Sequence, residues 1–283
     1  MGNFAQKQNI NPGALRLNEK EQKMKSQLTF TKIMPWRSRF GPALAGLVLL
    51  VIAASAPAGE VLPPSSLPYG LSYEEWSAKW WQWSLGQPTN HLEFVGDPGI
   101  CSGPARSVRF LAGVYIPGSG GISIETRSIT LPAGTPLFFP ILSVWNDNSG
   151  CPTFTSFTAD ELAAAVAGEW SAVTATTCTI DGVAVPGLDD PTNTEYLVQA
   201  PPFSYTTAEH DNVLAGLYGE PCVPGGLTIY PAVADGVYLM LSPLSPGKHS
   251  IHIVGVVGPL SAPFVKDDIT YDMTVLGLGC DRN

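Results

Sequence analysis

The sequence predicts a mainly β protein, an antiparallel β-sandwich of jelly-roll type with two short helices laid on its surface. Three observations carry this reading. Gly and Pro are frequent, 29 and 26 of 283 residues, while charged residues make up only 14%, the balance of folds built from many short strands and turns. Strand-period alternation recurs, most clearly where Ile269, Tyr271, Met273 and Val275 interleave with Thr270, Asp272 and Thr274. Turn dipeptides separate β-branched runs, above all Asp181-Gly182 before Val183-Ala184-Val185, a strong local hairpin signal.

The first segment stands apart from this pattern. Lys7, Arg16, Lys20, Lys23, Lys25, Lys32, Arg37 and Arg39 precede the uncharged stretch Phe40 to Gly59, whose end is Ala54-Ser55-Ala56-Pro57-Ala58. Basic, apolar, then small residues is the order of a secretory signal. Cleavage is expected after Ala58, because a cut after Ala56 sets Pro57 beside the scissile bond. The basic region is long, and Met34 is an alternative start. A retained anchor is the competing reading; Pro42 and Pro57 around a short apolar centre favour cleavage. Residues 1–58 are therefore expected to be a signal peptide and 59–283 a single domain, secreted or periplasmic and free of the membrane after cleavage.

Without the leader, 8 of 15 Lys/Arg and 2 of 24 Asp/Glu are lost, leaving 7 against 22 and a formal charge of −15. Such a field repels phosphate backbones and anionic lipid surfaces, so nucleic acid is excluded as an expected partner. Cys101, Cys151, Cys178, Cys222 and Cys280 all follow the leader and make no CxxC or other metal spacing. Disulfides are expected from such a set in an exported chain, with one thiol left over.

The elements follow in order. Gly59 to Tyr69 is a Pro-rich, extended lead-in. Ser72-Tyr73-Glu74-Glu75 is a capping-box pattern. It opens a helix on which Tyr73, Trp76, Trp80 and Trp83 share a face widened by Trp81 and Leu85, ended by Gly86 and Pro88. Its tryptophans are expected to be buried against the sandwich rather than presented as a platform. Ser107 to Ile116 alternates as a half-buried strand and, across Gly118 to Gly121, forms an expected hairpin with Ile122 to Ile129. Leu137 to Trp145 is almost continuously apolar, a strand buried on both faces, with a bulge or unpaired edge expected at Pro140. Asn146 to Gly150 is a polar loop.

Thr158 to Glu161 is a second capping box, opening a helix over Ala159 to Ala167 with Gly168 as its stop. A strand over Ala172 to Ile180 leads into the Asp181-Gly182 hairpin. Leu188 to Thr194 and Gln199 to Pro202 are turn-rich, and Phe203 to Tyr205 is a short strand. His210 to Asn212 and Gly216 to Gly226 read as loops. Val237 to Leu241 and His249 to Val257 are strands around a type II turn at Ser245 to Lys248, and the strand at Ile269 to Val275 ends the chain's β signal.

Taken together, YEEWSAKWWQW, LPAGTPLFFPI, TIDGVAV, ADGVYLMLSPLSPGKHSIHIVG and DDITYDMTV resemble a family of secreted bacterial proteins of unknown function, across most of residues 70 to 276. The resemblance implies export and a β-rich single domain. It implies no catalytic or binding residue.

The chemistry must be read from the residues alone. An apolar strand emptying into a polar loop is a common way to present a site, so Trp145, Asn146, Asp147 and Asn148 are the expected ligand-binding residues, with His91 and Asp97 from the loop before Cys101. The leading expectation is a non-catalytic binding protein for a glycan or another neutral or cationic small molecule. A secreted hydrolase with a carboxylate or His–carboxylate site on the sandwich rim is the first alternative, and a structural cell-surface protein cross-linked through the odd cysteine is the second. No cofactor or metal is expected. An irregular Ca2+ loop at Asn146 to Gly150 is the competing reading there, though the EF-hand spacing fails. His249 and His252 lie three apart on a strand and so face opposite sides, which denies them a common ion. His210-Asp211, Asp189-Asp190 and Asp267-Asp268 are expected to be solvated loop residues, and no G-x-S-x-G elbow or phosphate-cradling Gly motif is present.

Overall fold

Capping, alternation and turn chemistry build the following elements in a computed structural model that describes residues 59–88, 108–113, 120–149, 156–218 and 223–277. In chain order they are β1 (Val61–Leu62), α1 (Tyr73–Leu85), β2 (Arg109–Phe110), β3 (Gly121–Pro132), β4 (Leu137–Asp147), α2 (Ala159–Trp170), β5 (Val173–Ile180), β6 (Val183–Ala184), β7 (Leu197–Gln199), β8 (Phe203–Thr206), α3 (Val213–Tyr218), β9 (Thr228–Leu241), β10 (Gly247–Val257) and β11 (Val265–Leu276). The first sheet runs β1-β9-β4-β2, with β7 and β8 also on β9. The second runs β3-β11-β10-β5-β6. The expected β-sandwich with short helices is what these elements make.

β4 and β9 form the spine of the first sheet. Leu137 to Leu142 are all buried, as the apolar run demands, whereas Ser143 to Asp147 are half-exposed. Pro140 lacks an N–H, and the ladder skips Ile141, pairing Pro140 with Tyr238 and Leu142 with Val237. The expected bulge is there. One face of this sheet carries α1. Ser72 Oγ accepts from Glu75 N at 3.3 Å and Glu75 Oε2 from Ser72 N at 2.9 Å, closing the capping box. Trp81 Nε1 donates to the Tyr238 hydroxyl at 2.8 Å. The Tyr73 hydroxyl donates to Leu62 O at 2.6 Å and accepts from Met240 N at 2.8 Å. Trp80 and Trp81 are buried, so the tryptophan helix is a core element.

The opposite face meets the second sheet and α2. Gly255 of β10 sits so close beneath β4 that a Cβ there would lie 2.8 Å from Leu142 Cβ; only glycine permits that approach. Leu162 and Val166 of α2 pack on Val144 and Val233. In the second sheet, Ile251, Ile253, Ile269, Tyr271 and Met273 turn inward, while Thr270, Asp272 and Thr274 turn out. Asp181 and Gly182 have φ of 51° and 78°, as a primed hairpin turn requires between β5 and β6.

Several expectations are corrected. Two pairings are parallel rather than antiparallel, β2 with β4 and β3 with β11. Val108 to Ala112 contribute only the short β2, which joins β4 in the first sheet and makes no hairpin with β3; residues 114–116 lie outside the described residues. α2 passes through Gly168 to Trp170, whose indole donates to Pro191 O at 3.0 Å, so burial of one large ring outweighs the glycine. A third helix, α3, starts after the buried Asn212, whose Oδ1 accepts from Ala215 N at 2.8 Å. β9 begins at Thr228, nine positions before the expected start. Gly236 lies mid-strand, where a Cβ would meet Tyr238 Cε2 at 2.7 Å. β7 pairs Leu197 to Gln199 with β9, between two stretches read as turn-rich and taking Gln199 from the second.

Candidate functional site

The polar end of β4 is where the expected ligand residues lie. Asn146 and Asp147 still pair with Val233 and Ala232 of β9, so the strand runs two residues into the expected loop. Trp145 is half-buried, with its ring 4.8 Å from that of Trp81 at an interplanar angle of 37°. Its Nε1 donates to Asp147 Oδ2 at 3.0 Å, and the buried Tyr205 donates to the same oxygen at 2.6 Å. Asp147 Oδ1 accepts from Ser149 N at 2.8 Å. The carboxylate thus gathers three neutral donors and fixes the indole on its second side. Asn146 Nδ2 donates to Glu169 Oε1 at 3.0 Å, and Asn148 makes a two-way bond with the backbone of Phe157 at 2.9 Å each. Trp145 and Asp147 share the face that meets α1, whereas Asn146 bonds to α2 on the opposite face, and Asp147 and Asn148 spend their polar atoms on ordering the strand end. Ser149 is buried. His91 and Asp97 lie outside the described residues, as do Cys101, Cys151, Cys222 and Cys280 and the leader 1–58.

A second array arises from pairings that a single sequence does not reveal. β10 lies beside β5, with Ile251 opposite Ile180, which brings the tight turn of Asp181 alongside His249 and Ser250. His249 Nδ1 lies 2.7 Å from Asp181 Oδ2, and Asp181 Oδ1 accepts from Ser250 N at 2.9 Å. His249 Nε2 lies 2.8 Å from Ser245 O and 3.4 Å from Ser245 Oγ. Asp, His and Ser therefore stand in the order of a hydrolytic triad. Their wiring is different. The short contact of Nε2 is to a carbonyl oxygen, which only accepts, so that nitrogen carries a proton and is not free to take one from the hydroxyl. The ring bridges the Asp181 turn and the Ser245 turn and ties them together. His252 faces the other way, 2.8 Å from Asp268 on the half-exposed outer face; the two histidines do part as their spacing requires.

Two acids are buried between the layers. Asp235 of β9 has an Oδ1 with no hydrogen-bond partner, and burial raises its carboxyl pKa while the Gln199 side chain lowers it. Asp267 is 7% exposed, and its Oδ1 also lacks a partner. Burial pushes its carboxyl up to about 7, with Arg127 pulling it down and Glu125 adding to the rise. The expectation that Asp267-Asp268 is a solvated loop pair is wrong for Asp267. Both residues lie in β11, and the period-two alternation of Val265, Asp267 and Ile269 was the signal, masked by the charge. Asp189 and Asp190 are exposed, as are His210 and Asp211.

Cys178 is a free thiol in the core, 2% exposed, and burial pushes its pKa up to about 12. Among the described residues no group of three or more His, Cys, Asp or Glu could hold a metal ion, and no helix is long and apolar enough to cross a membrane. No family model, curated protein or solved structure matches the chain.

Proposed function

We propose that this protein is an exported, non-catalytic binding protein whose ligand, a glycan or another neutral or cationic small molecule, docks at the Trp145 end of β4. The observation that supports this reading is the fixed, half-exposed indole of Trp145. Trp81 backs the ring and Asp147 holds its N–H, so a ligand ring stacking there orders no side chain on arrival. The acidic chain favours uncharged or positive partners over anions. In this reading Asp147 positions the indole and Trp145 makes the contact.

The test is a soluble-glycan array followed by titration of the best binder. Trp145→Ala should abolish binding, and Asp147→Asn should weaken it roughly tenfold by loosening the ring. Binding unchanged in both variants sinks the assignment. The hydrolase reading has the Asp181–His249–Ser245 array in its favour, but the proton on Nε2 speaks against it. The cross-linked surface-protein reading loses support at Cys178, which is too deeply buried to bridge two chains.

A further inference from the structure

On the inner face of the second sheet, near the start of β3 and β11, polar side chains replace the apolar ones that fill the rest of it. Asp267 is at the centre. The parallel register sets Ser123 beside it and Glu125 and Arg127 further along β3. On its other side, in β10, stands Gly255, with Leu142 of the opposing sheet pressed onto it. The carboxyl therefore lies next to an aliphatic wall.

Arg127 does not supply the donor that Asp267 Oδ1 lacks. Its Nε and Nη2 hold Glu125 Oε2 at 3.1 and 2.8 Å, and its Nη1 holds Ala112 O and Gly113 O at 2.7 and 3.2 Å. Tyr271, next but one inward along β11, donates its hydroxyl to Ala112 O. Yet the inner face opens toward this end. Ser123 and Glu125 point inward and remain half-exposed, whereas Ile129 and Leu131 on the same face are buried.

A buried acceptor left without a donor is costly, because the group has given up its water and gained nothing in exchange. Glu125 is already neutralised by Arg127 at 2.8 Å, so the charge left over is the single one of Asp267. What completes the site must bring one positive charge and at least one N–H, and must tolerate an aliphatic neighbour. A primary ammonium on an alkyl chain has all three properties. A quaternary ammonium has the charge without the donor. From these features we infer that the Asp267 end of the sandwich is a binding site for a small primary alkylammonium compound, with the Asp267 carboxylate as its counter-ion and Glu125 at its mouth.

Seating the ammonium draws Asp267 into its ionised form. Because burial holds the empty site's carboxyl protonated up to about pH 7, complex formation below that pH expels a proton to the buffer. The groups flanking Asp267 are Ser123, Glu125 and Arg127 of β3, Gly255 of β10 and Tyr271 within β11 itself. Burial also raises the pKa of the Tyr271 phenol, which keeps its proton over this range, and Asp267 is the source of the one released.

Calorimetric titration of the whole protein with n-butylammonium chloride tests the proposal, run near pH 6 and near pH 9 in buffers of different ionisation enthalpy. The expected result is saturable binding, with close to one proton released at the lower pH and none at the higher. Asp267→Asn should weaken binding at least tenfold, and tetramethylammonium should not bind. Glu125→Gln, which spares the buried acid, should retain the proton release. Absence of saturable binding, binding of tetramethylammonium with equal strength, or binding without pH-linked proton release overturns the inference. No residue here belongs to the Trp145 end, so Trp145→Ala should leave n-butylammonium binding intact, and the two proposals succeed or fail separately.

Discussion

Replacing Asp267 by Asn should make the protein more stable, and by an amount that depends on pH. In the folded chain the carboxyl is held at about 7 against an ordinary value of 3.8, chiefly because burial penalises the charged form. At about 1.4 kcal/mol for each tenfold change in proton affinity, that displacement is about 4 kcal/mol. The sign follows from which state binds the proton. Below about pH 4 both folded and unfolded chains carry it, and no penalty exists. Between about pH 4 and 7 the unfolded chain ionises while the folded one does not, so stability falls as pH rises. Above about pH 7 the loss is complete.

The amide introduced by Asp267→Asn cannot ionise. Urea unfolding should therefore show variant and wild type within about 1 kcal/mol near pH 4, and the variant ahead by about 4 kcal/mol near pH 8. Glu161 and Asp268, whose carboxyls are lowered by bonds from Thr158 and from Lys266 and His252, work in the opposite sense. They are common to both proteins and cancel in the difference. A gap that is the same at the two pH values, or a variant weaker near pH 8, would refute the reasoning.

Three further outcomes are expected. Tyr73→Phe strands Leu62 O and Met240 N, which now share one hydroxyl, and should cost about 1–3 kcal/mol in urea unfolding with no change in fold by circular dichroism. Cys178 should resist a thiol reagent in the native protein and react at once in denaturant, since the thiolate is suppressed by burial. Ser245 should not be labelled by a fluorophosphonate, because His249 Nε2 is held by the neighbouring carbonyl oxygen; labelling would restore the hydrolase reading.

What was legible in the sequence was local. Ser72 with Glu75, Thr158 with Glu161, Asp181-Gly182 and the bulge at Pro140 each depend on residues a few positions apart, and each was found where the pattern put it. The long-range pairings were not legible. Nothing in Val108 to Ala112 says that β2 will join β4 in parallel, or that β3 will lie along β11. The Trp145 end could be picked out because an apolar run stops there. The His249 array could not, because its members meet only when β5 and β10 pair. Asp267-Asp268 misled because an acidic pair that favours solvated loops is tolerated inside a strand where burial keeps one charge neutralised.

The partnership of β3 with β11 also governs when the molecule can assemble. Val265 joins Gly121, 144 positions earlier, and β11 is wedged between β3 and β10. On the ribosome β3 has no strand partner among the described residues until β11 emerges, and closing so large a loop makes folding slow. Loss of β11 would leave β3 detached from its sheet, so β11 acts as the latch of the second layer.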